Sequence, residues 1–297
     1  MRFFVDHHFV IGDDHVAQGK PCQDHALSVC SDGLAASVVS DGCSSGGETD
    51  MGARVLTFAT LRAILSHFEV AHALPVAEAV EAERALIEGS VMNMLGLHRD
   101  DMLATSIVTA VTDEGGFVHL AGDGVIAVTK RDGSIELLRF DWARNMPAYP
   151  HYRDDQFAAF IAAQGGDSEG KLMSRERVIR YPDGTETEAE MLGITLALGI
   201  RGVTLNFDAH SIAEEIASIA VFTDGVTQIE GVDWKDAVME FLSFKNTTGA
   251  FVKRRMNAAL KKYRKEGKYP RDDLAYAVIN IEQPTKGSNH GSREQNA

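Results

Sequence analysis

Three apolar runs in this chain close on an Asp-Gly pair, and a fourth opens on two aspartates. The first three are Ser37-Val38-Val39-Ser40-Asp41-Gly42, Val118-His119-Leu120-Ala121-Gly122-Asp123-Gly124 and Ala220-Val221-Phe222-Thr223-Asp224-Gly225. The fourth is Asp272-Asp273-Leu274-Ala275-Tyr276-Ala277-Val278-Ile279. A further pair, Asp100-Asp101, precedes Leu103-Ala104-Thr105-Ser106-Ile107-Val108. Asp-Gly is a common turn dipeptide, and Asp32, Asp132 and Asp183, set between polar or short segments, suit tight hairpins. Asp41 and Asp224 differ: each ends a nearly uninterrupted apolar strand and leads into a small-residue loop or a helix start. A turn is a sufficient reading for either one alone. Taken jointly, they suggest carboxylates gathered at one edge of a core.

Such a gathering needs compensation. Two like charges about 4 Å apart repel by roughly 4 kcal/mol at an effective dielectric near 20. Either protons or cations must offset that repulsion. Cations are the better expectation, because the ligands on offer are all oxygens. An all-oxygen set selects hard ions, Mg²⁺ or Mn²⁺, over zinc. Such a site can activate a water and clamp a phosphoryl group.

The order of elements sets the fold class. Strands are expected at Ala26–Cys30 and Leu34–Ser40, then helices at Ala53–Phe68 and Val76–Leu95. Strands return at Ser106–Thr112, Phe117–Ala121, Val125–Lys130 and Ile135–Arg139. Residues 141–192 are less regular and rich in Pro, Gly and charge, and read as a mobile flap with short helices and a hairpin at Asp183-Gly184. Strands at Gly193–Leu198, Val203–Phe207 and Ser218–Thr223 follow. Helices then span Lys235–Phe244 and Gly249–Arg264, and a last strand is Leu274–Ile281. The helices are grouped instead of alternating with strands, which favours an α+β fold with antiparallel sheets over a doubly wound one. The polar stretch 283–297 reads as a disordered tail.

Composition narrows the function classes. The chain has 297 residues, 44% hydrophobic, enough for one large domain. With 43 acidic against 29 basic residues, its field repels phosphate backbones and argues against nucleic-acid binding. The densest basic segment, Lys253 to Lys268, reads as the solvated face of a C-terminal helix. A docking patch for an acidic partner is the lesser alternative. Met1 to Ile11 has Asp6, His7 and His8 where a signal peptide needs an apolar core, and no run is long and apolar enough for a membrane span. Three cysteines without CxxC spacing argue against a disulfide framework or a zinc site and fit a reducing cytoplasm.

The motifs, in order, resemble the metal-dependent protein phosphatases, the type 2C serine/threonine phosphatases. The match runs through Gln23-Asp24, Val39-Ser40-Asp41-Gly42, Gly52-Ala53, Thr105, Gly122-Asp123, Phe222-Thr223-Asp224-Gly225 and Asp272-Asp273. The stretches His15 to Asp24 and Asn145-Met146-Pro147-Ala148-Tyr149 look like a bacterial branch of that family. The resemblance implies a four-layer α-β-β-α sandwich with two central antiparallel sheets, forming one catalytic domain over residues 1–282 with the flap at about 141–192. It implies phosphoserine and phosphothreonine hydrolysis by a hydroxide bridging two Mn²⁺ or Mg²⁺ ions. Asp41 would bridge both metals, the Gly42 carbonyl would bind the second, and Asp224 and Asp272 would hold the first. Asp24 would orient a metal-bound water, and Asp101 matches the position that, with Asp224, can hold a weaker third ion. Asp123 and Asp273 read as supporting groups. The expected partner is a phosphorylated protein, opposing a Ser/Thr kinase, in the cytoplasm, with no nucleic acid and no membrane.

The departures are specific. The family's phosphate-binding Arg, a few residues before Gln23-Asp24, is absent, with Gly19 or Lys20 in its place. A Glu often found at Gln23 is missing, and the His that often follows Asp-Gly is Cys43. Lys20 and His15 are candidate phosphate contacts, with an ordinary loop role as the alternative for each. Two rivals follow: a catalytically weak or inactive phosphatase-fold module that binds a phosphoprotein or kinase, and an enzyme for a small phosphorylated metabolite. Retention of Asp41, Gly42, Asp224 and Asp272 argues against the first.

Overall fold

The computed structural model describes residues 1–283, apart from 32, 153, 168, 169 and 197–201. Its strands are β1 (Arg2–Val10), β2 (His25–Ser31), β3 (Leu34–Ser40), β4 (Ser106–Thr112), β5 (Gly115–Ala121), β6 (Gly124–Lys130), β7 (Ile135–Trp142), β8 (Met173–Arg180), β9 (Glu190–Ile194), β10 (Val203–Asp208), β11 (Ile216–Phe222) and β12 (Leu274–Glu282). Its α-helices are α1 (Asp13–Gln18), α2 (Thr49–Ala71), α3 (Ala77–Leu95), α4 (Asp154–Ala163), α5 (Trp234–Leu242) and α6 (Phe251–Lys265).

Strand parity builds the layers. Successive side chains of a strand point to opposite faces, and here both faces are apolar. In β12, Ala275, Ala277, Ile279 and Ile281 join the core between the two sheets, while Leu274, Tyr276 and Val278 face the opposite way into a second core with α5 and α6. In β3, Ala35 and Val39 face the inter-sheet core, and Leu34, Ala36 and Val38 join Ala63 and Ile64 of α2 in a third. Burial on both faces is why these strands read as near-continuous apolar runs. One sheet has the order β1-β12-β11-β6-β7-β8-β9 and the other β10-β5-β4-β3-β2, with antiparallel neighbours throughout. The α-β-β-α sandwich with two antiparallel sheets is therefore borne out.

Outer helices are fixed by few contacts of high value. Tyr276 stacks on Phe222 with centroids 4.8 Å apart, and its hydroxyl donates to Val252 O at 3.0 Å. Asp233 caps α5 by accepting from Lys235 N at 2.9 Å. On α6, Met256, Ala259, Leu260 and Tyr263 are buried, while Lys253, Arg254, Lys261, Arg264 and Lys265 face solvent.

Residues 141–192 hold regular structure: β7 runs to Trp142, α4 follows, and β8 and β9 extend the larger sheet at one edge. The Asp183-Gly184 hairpin is present, with Arg180 bridged to Glu186. The strand expected at Gly193–Leu198 overlaps β9, its last two residues falling outside the described residues. Asp32 and the tail from 284 also lie outside them. No helix among the described residues is long and apolar enough to cross a membrane.

Candidate active site

Two kinds of Asp-Gly separate in the structure. Gly33, Gly133 and Gly184 have φ of +90°, +87° and +85°, the backbone of tight turns. Gly42 and Gly225 serve close approach instead. A Cβ on Gly225 would lie 1.8 Å from Asp273 O, and one on Gly42 would lie 2.6 Å from Thr49 O. The first approach lets the 3-10 turn Asp224–Thr227 sit directly against the start of β12. The second lets the end of β3 meet the start of α2.

The strand ends then converge. β11 pairs with β12 through Phe222↔Tyr276, which brings Asp224 beside Asp272. The Gln228 side chain donates from Nε2 to Asp224 Oδ2 at 2.8 Å and to Asp272 Oδ2 at 3.1 Å, tying both carboxylates to one amide. Asp24, just before β2, is buried and accepts from Thr223 Oγ1 at 2.6 Å. Asp24 and Asp41 lie close enough that the charge of Asp24 acts directly on Asp41. Asp41, Asp224 and Asp272 are half-buried, while Asp24, Asp123 and Asp273 are buried behind them.

The electrostatics show the strain of this packing. Burial, then repulsion from Asp24, Asp224, Asp123 and Asp272, pushes Asp41 well above the usual carboxylate range. Asp24 is raised by burial and by Asp273 and Asp224, against the opposing Thr223 bond. Burial and Asp224 raise Asp123. Asp224 is pushed up to about 6 by burial and by Asp272, with Gln228 acting against the rise. Buried Asp123 Oδ1 has no hydrogen-bond partner. An orphaned carboxylate oxygen beside mutually repelling carboxylates fits a divalent cation, and the all-oxygen donor set fits Mg²⁺ or Mn²⁺.

The remaining expected residues take distinct places. Asp273 accepts from Gly12 N at 2.7 Å and Gln23 N at 2.5 Å, and lies 2.9 Å from His15 Nδ1. His15 is thus buried against Asp273, and His15, Asp272 and Asp273 offer ligand atoms all within 4.8 Å of one another. Lys20 reaches Ser44 O at 3.4 Å, beside the Asp41-Gly42-Cys43 loop. Asp101 uses both oxygens on backbone: Oδ1 accepts from Glu48 N and Oδ2 from His98 N, each at 2.7 Å. Those bonds hold its carboxyl below the usual range. The Gly42 backbone is clamped by its own N–H to Gln23 O at 3.1 Å and by a bridge to Ala104.

Four site residues were given no role by the sequence: Thr223 and Tyr149, which stood only inside the motifs, and Gln228 and Arg139. Arg139 is held by Asp141 at 2.9 Å and is the cation whose field reaches Asp123 and Asp224. Gln228 lies four residues after Asp224, the spacing at which side chains meet on a helical turn. That spacing was its only trace in the sequence.

Comparison with known proteins agrees with the motifs. The protein phosphatase 2C family matches residues 11–145. No curated protein matches. Among solved structures, a serine/threonine phosphatase from Staphylococcus aureus is 12% identical with a TM-score of 0.54, covering 95% of this chain and 96% of that one. A serine/threonine phosphatase from S. agalactiae is 14% identical with a TM-score of 0.51, over 95% and 100%. A bacterial serine phosphatase is 10% identical with a TM-score of 0.52, over 96% and 100%. At such identities the structures speak for the fold. The family match bears out the phosphatase 2C resemblance over residues 11–145, and the solved structures bear out the fold.

Proposed function

With that phosphatase 2C pattern as premise, we propose that the chain is a metal-dependent serine/threonine protein phosphatase, acting on phosphoserine and phosphothreonine in a reducing, cytoplasmic setting. The observation that carries the reading is the convergence of Asp24, Asp41, Asp123, Asp224 and Asp272 at strand ends, with charges that cannot coexist uncompensated. Asp41, the Gly42 carbonyl, Asp224 and Asp272 would hold two Mn²⁺ or Mg²⁺ ions. Bound there, the ions supply an activated water and neutralise charge on the phosphoryl oxygens.

The chain's own groups do the rest. Gln228 keeps the Asp224 and Asp272 oxygens pointing to one side. Thr223 fixes the Asp24 carboxyl, which would orient a water of the site. Lys20 at the Ser44 carbonyl stands nearest the loop that would meet the phosphate in place of the missing Arg. Asp101, engaged twice with backbone, serves the start of α2; a third ion would have to compete with those bonds. The layer of β8, β9 and α4 would border the protein substrate.

The test is a panel: phosphoserine and phosphothreonine peptides, a phosphotyrosine peptide and small phosphorylated metabolites, each with Mn²⁺. Preference for the first two classes supports the reading. Turnover confined to the metabolites would replace it.

A further inference from the structure

A buried ion cluster outside the acidic site ties α3 to the loop 146–152. Arg84 and Glu88 of α3 are 3% and 2% exposed and are paired with each other. Arg84 also meets Glu81 at 2.9 Å and the Pro150 carbonyl at 3.5 Å. The other Glu88 oxygen meets His151 Nδ1 at 2.7 Å. Burying charges costs free energy that their attraction seldom repays in full, so such a cluster is better explained by the geometry it enforces than by stability. What it enforces here is the place of the residue before Pro150.

That residue is Tyr149. Its side chain lies beside Cys43, immediately after Asp41-Gly42, and its electrostatic surroundings include Asp41 and Asp123. The ring is braced edge-on by Tyr152, with centroids 5.6 Å apart. A phenol is un-ionised at neutral pH and has a proton to donate. Sulfur is a weak acceptor, and a phosphate oxygen is a strong, charged one.

We infer that Tyr149 contacts the substrate phosphoryl group, its hydroxyl donating to a phosphate oxygen beside Cys43, and that Arg84 and Glu88, through Pro150 and His151, are the positioning residues that hold it there. The inference rests on the phosphatase reading for its ligand. It supplies a donor on the side where the family's Arg and His are both missing.

The test is calorimetric binding of inorganic phosphate to the Mn²⁺-loaded chain, read beside peptide turnover. Tyr149→Phe should weaken phosphate binding about tenfold or more, as expected for a lost charged hydrogen bond. His151→Ala removes the Glu88 link to the loop and leaves the Arg84–Glu88 pair and the Arg84–Pro150 contact in place. It should weaken phosphate binding by a smaller factor, and by nothing further when added to Tyr149→Phe. A role in packing alone would lower thermal stability and leave phosphate affinity unchanged. Unchanged affinity in Tyr149→Phe, additive effects in the double variant, or no phosphate binding by the wild type would each overturn the inference. If the wild type binds phosphate and responds to Tyr149→Phe but turns over no peptide, the inference stands and the phosphatase reading falls.

Discussion

The Thr223 hydroxyl donates to Asp24 Oδ2 at 2.6 Å, joining two residues 199 positions apart in the chain. The same oxygen accepts from Ala275 N at 2.9 Å, so one hydroxyl couples the first acidic motif to β11 and β12. Thr223→Val keeps the shape and removes both bonds. It leaves a buried carboxyl and a buried N–H short of a partner, and should cost about 1–3 kcal/mol each. Urea unfolding of the metal-free chain measures this, and a loss below about 0.5 kcal/mol would contradict the assigned coupling.

Gln228 is predicted to set metal affinity through Asp224. Its amide is the hydrogen bond that works against the rise of Asp224 to about 6. In Gln228→Leu the Asp224 carboxyl rises further, so more of it is protonated at neutral pH. Mn²⁺ binding should weaken several-fold at about pH 7 and recover as pH is raised. Titration calorimetry across pH checks this, and a pH-independent loss would point to packing instead.

The raised carboxyls also fix the sign of the pH dependence. Asp224 sits near 6, and Asp24, Asp41 and Asp123 are raised as well, all above an unfolded value near 3.8. Without metal, the native state therefore binds more protons than the unfolded chain. For Asp224 the stability contributed is full below about pH 4 and is lost as pH rises through about 6; Asp24, Asp41 and Asp123 lose theirs in the same direction, over their own raised ranges. In chelator, the melting temperature should be higher at about pH 5.5 than at about pH 8, by roughly 5 °C. Excess Mn²⁺ should close or reverse that gap. His7, His8 and His25, lowered by burial, act in the opposite sense over the same range. The carboxylates' share is therefore the part of the gap that Asp224→Asn removes, and a gap unchanged in that variant would refute the carboxylate clustering.

Glycines that serve turns and glycines that serve close approach should respond differently. Gly184 has open space around a built Cβ and a φ of +85°, so Gly184→Ala pays only backbone strain, about 1–2 kcal/mol. Gly225→Ala would drive a methyl into Asp273 O and should cost about 3 kcal/mol or more, with metal binding lost as well. Equal costs in denaturant unfolding would erase the distinction.

That distinction was partly legible in the sequence. Asp41 and Asp224 stood out because they close strands buried on both faces, and such strands show as continuous apolar runs. The grouped helices likewise disclosed the layers. Segment 141–192 did not disclose β8 and β9. Most of β8 is only half-buried, four of the five residues of β9 are exposed, and the two are laced by surface pairs such as Arg177 with Glu136 and Glu190. Edge strands of that kind carry charge where a buried strand carries apolar residues. The place of Asp101 was hidden for another reason. Its pattern fits a ligand, but both oxygens are consumed by the Glu48 and His98 N–H groups, a tertiary fact that no local spacing encodes. Thr223 and Tyr149 stood inside recognisable motifs, but their roles were hidden because their neighbours, Asp24 and Cys43, are distant in sequence.

The central claim, that these aspartates form a metal-dependent hydrolytic site, is tested most directly by turnover of a phosphothreonine peptide. The wild type and Asp224→Ala would be compared with Mn²⁺, with Mg²⁺ and with chelator. The account predicts turnover that needs metal and falls by at least about a hundredfold in the variant, while the variant stays folded. Turnover that survives chelation or the loss of Asp224 would contradict it, and a folded, metal-binding wild type that turns over no phosphopeptide would favour a regulatory module on the same fold.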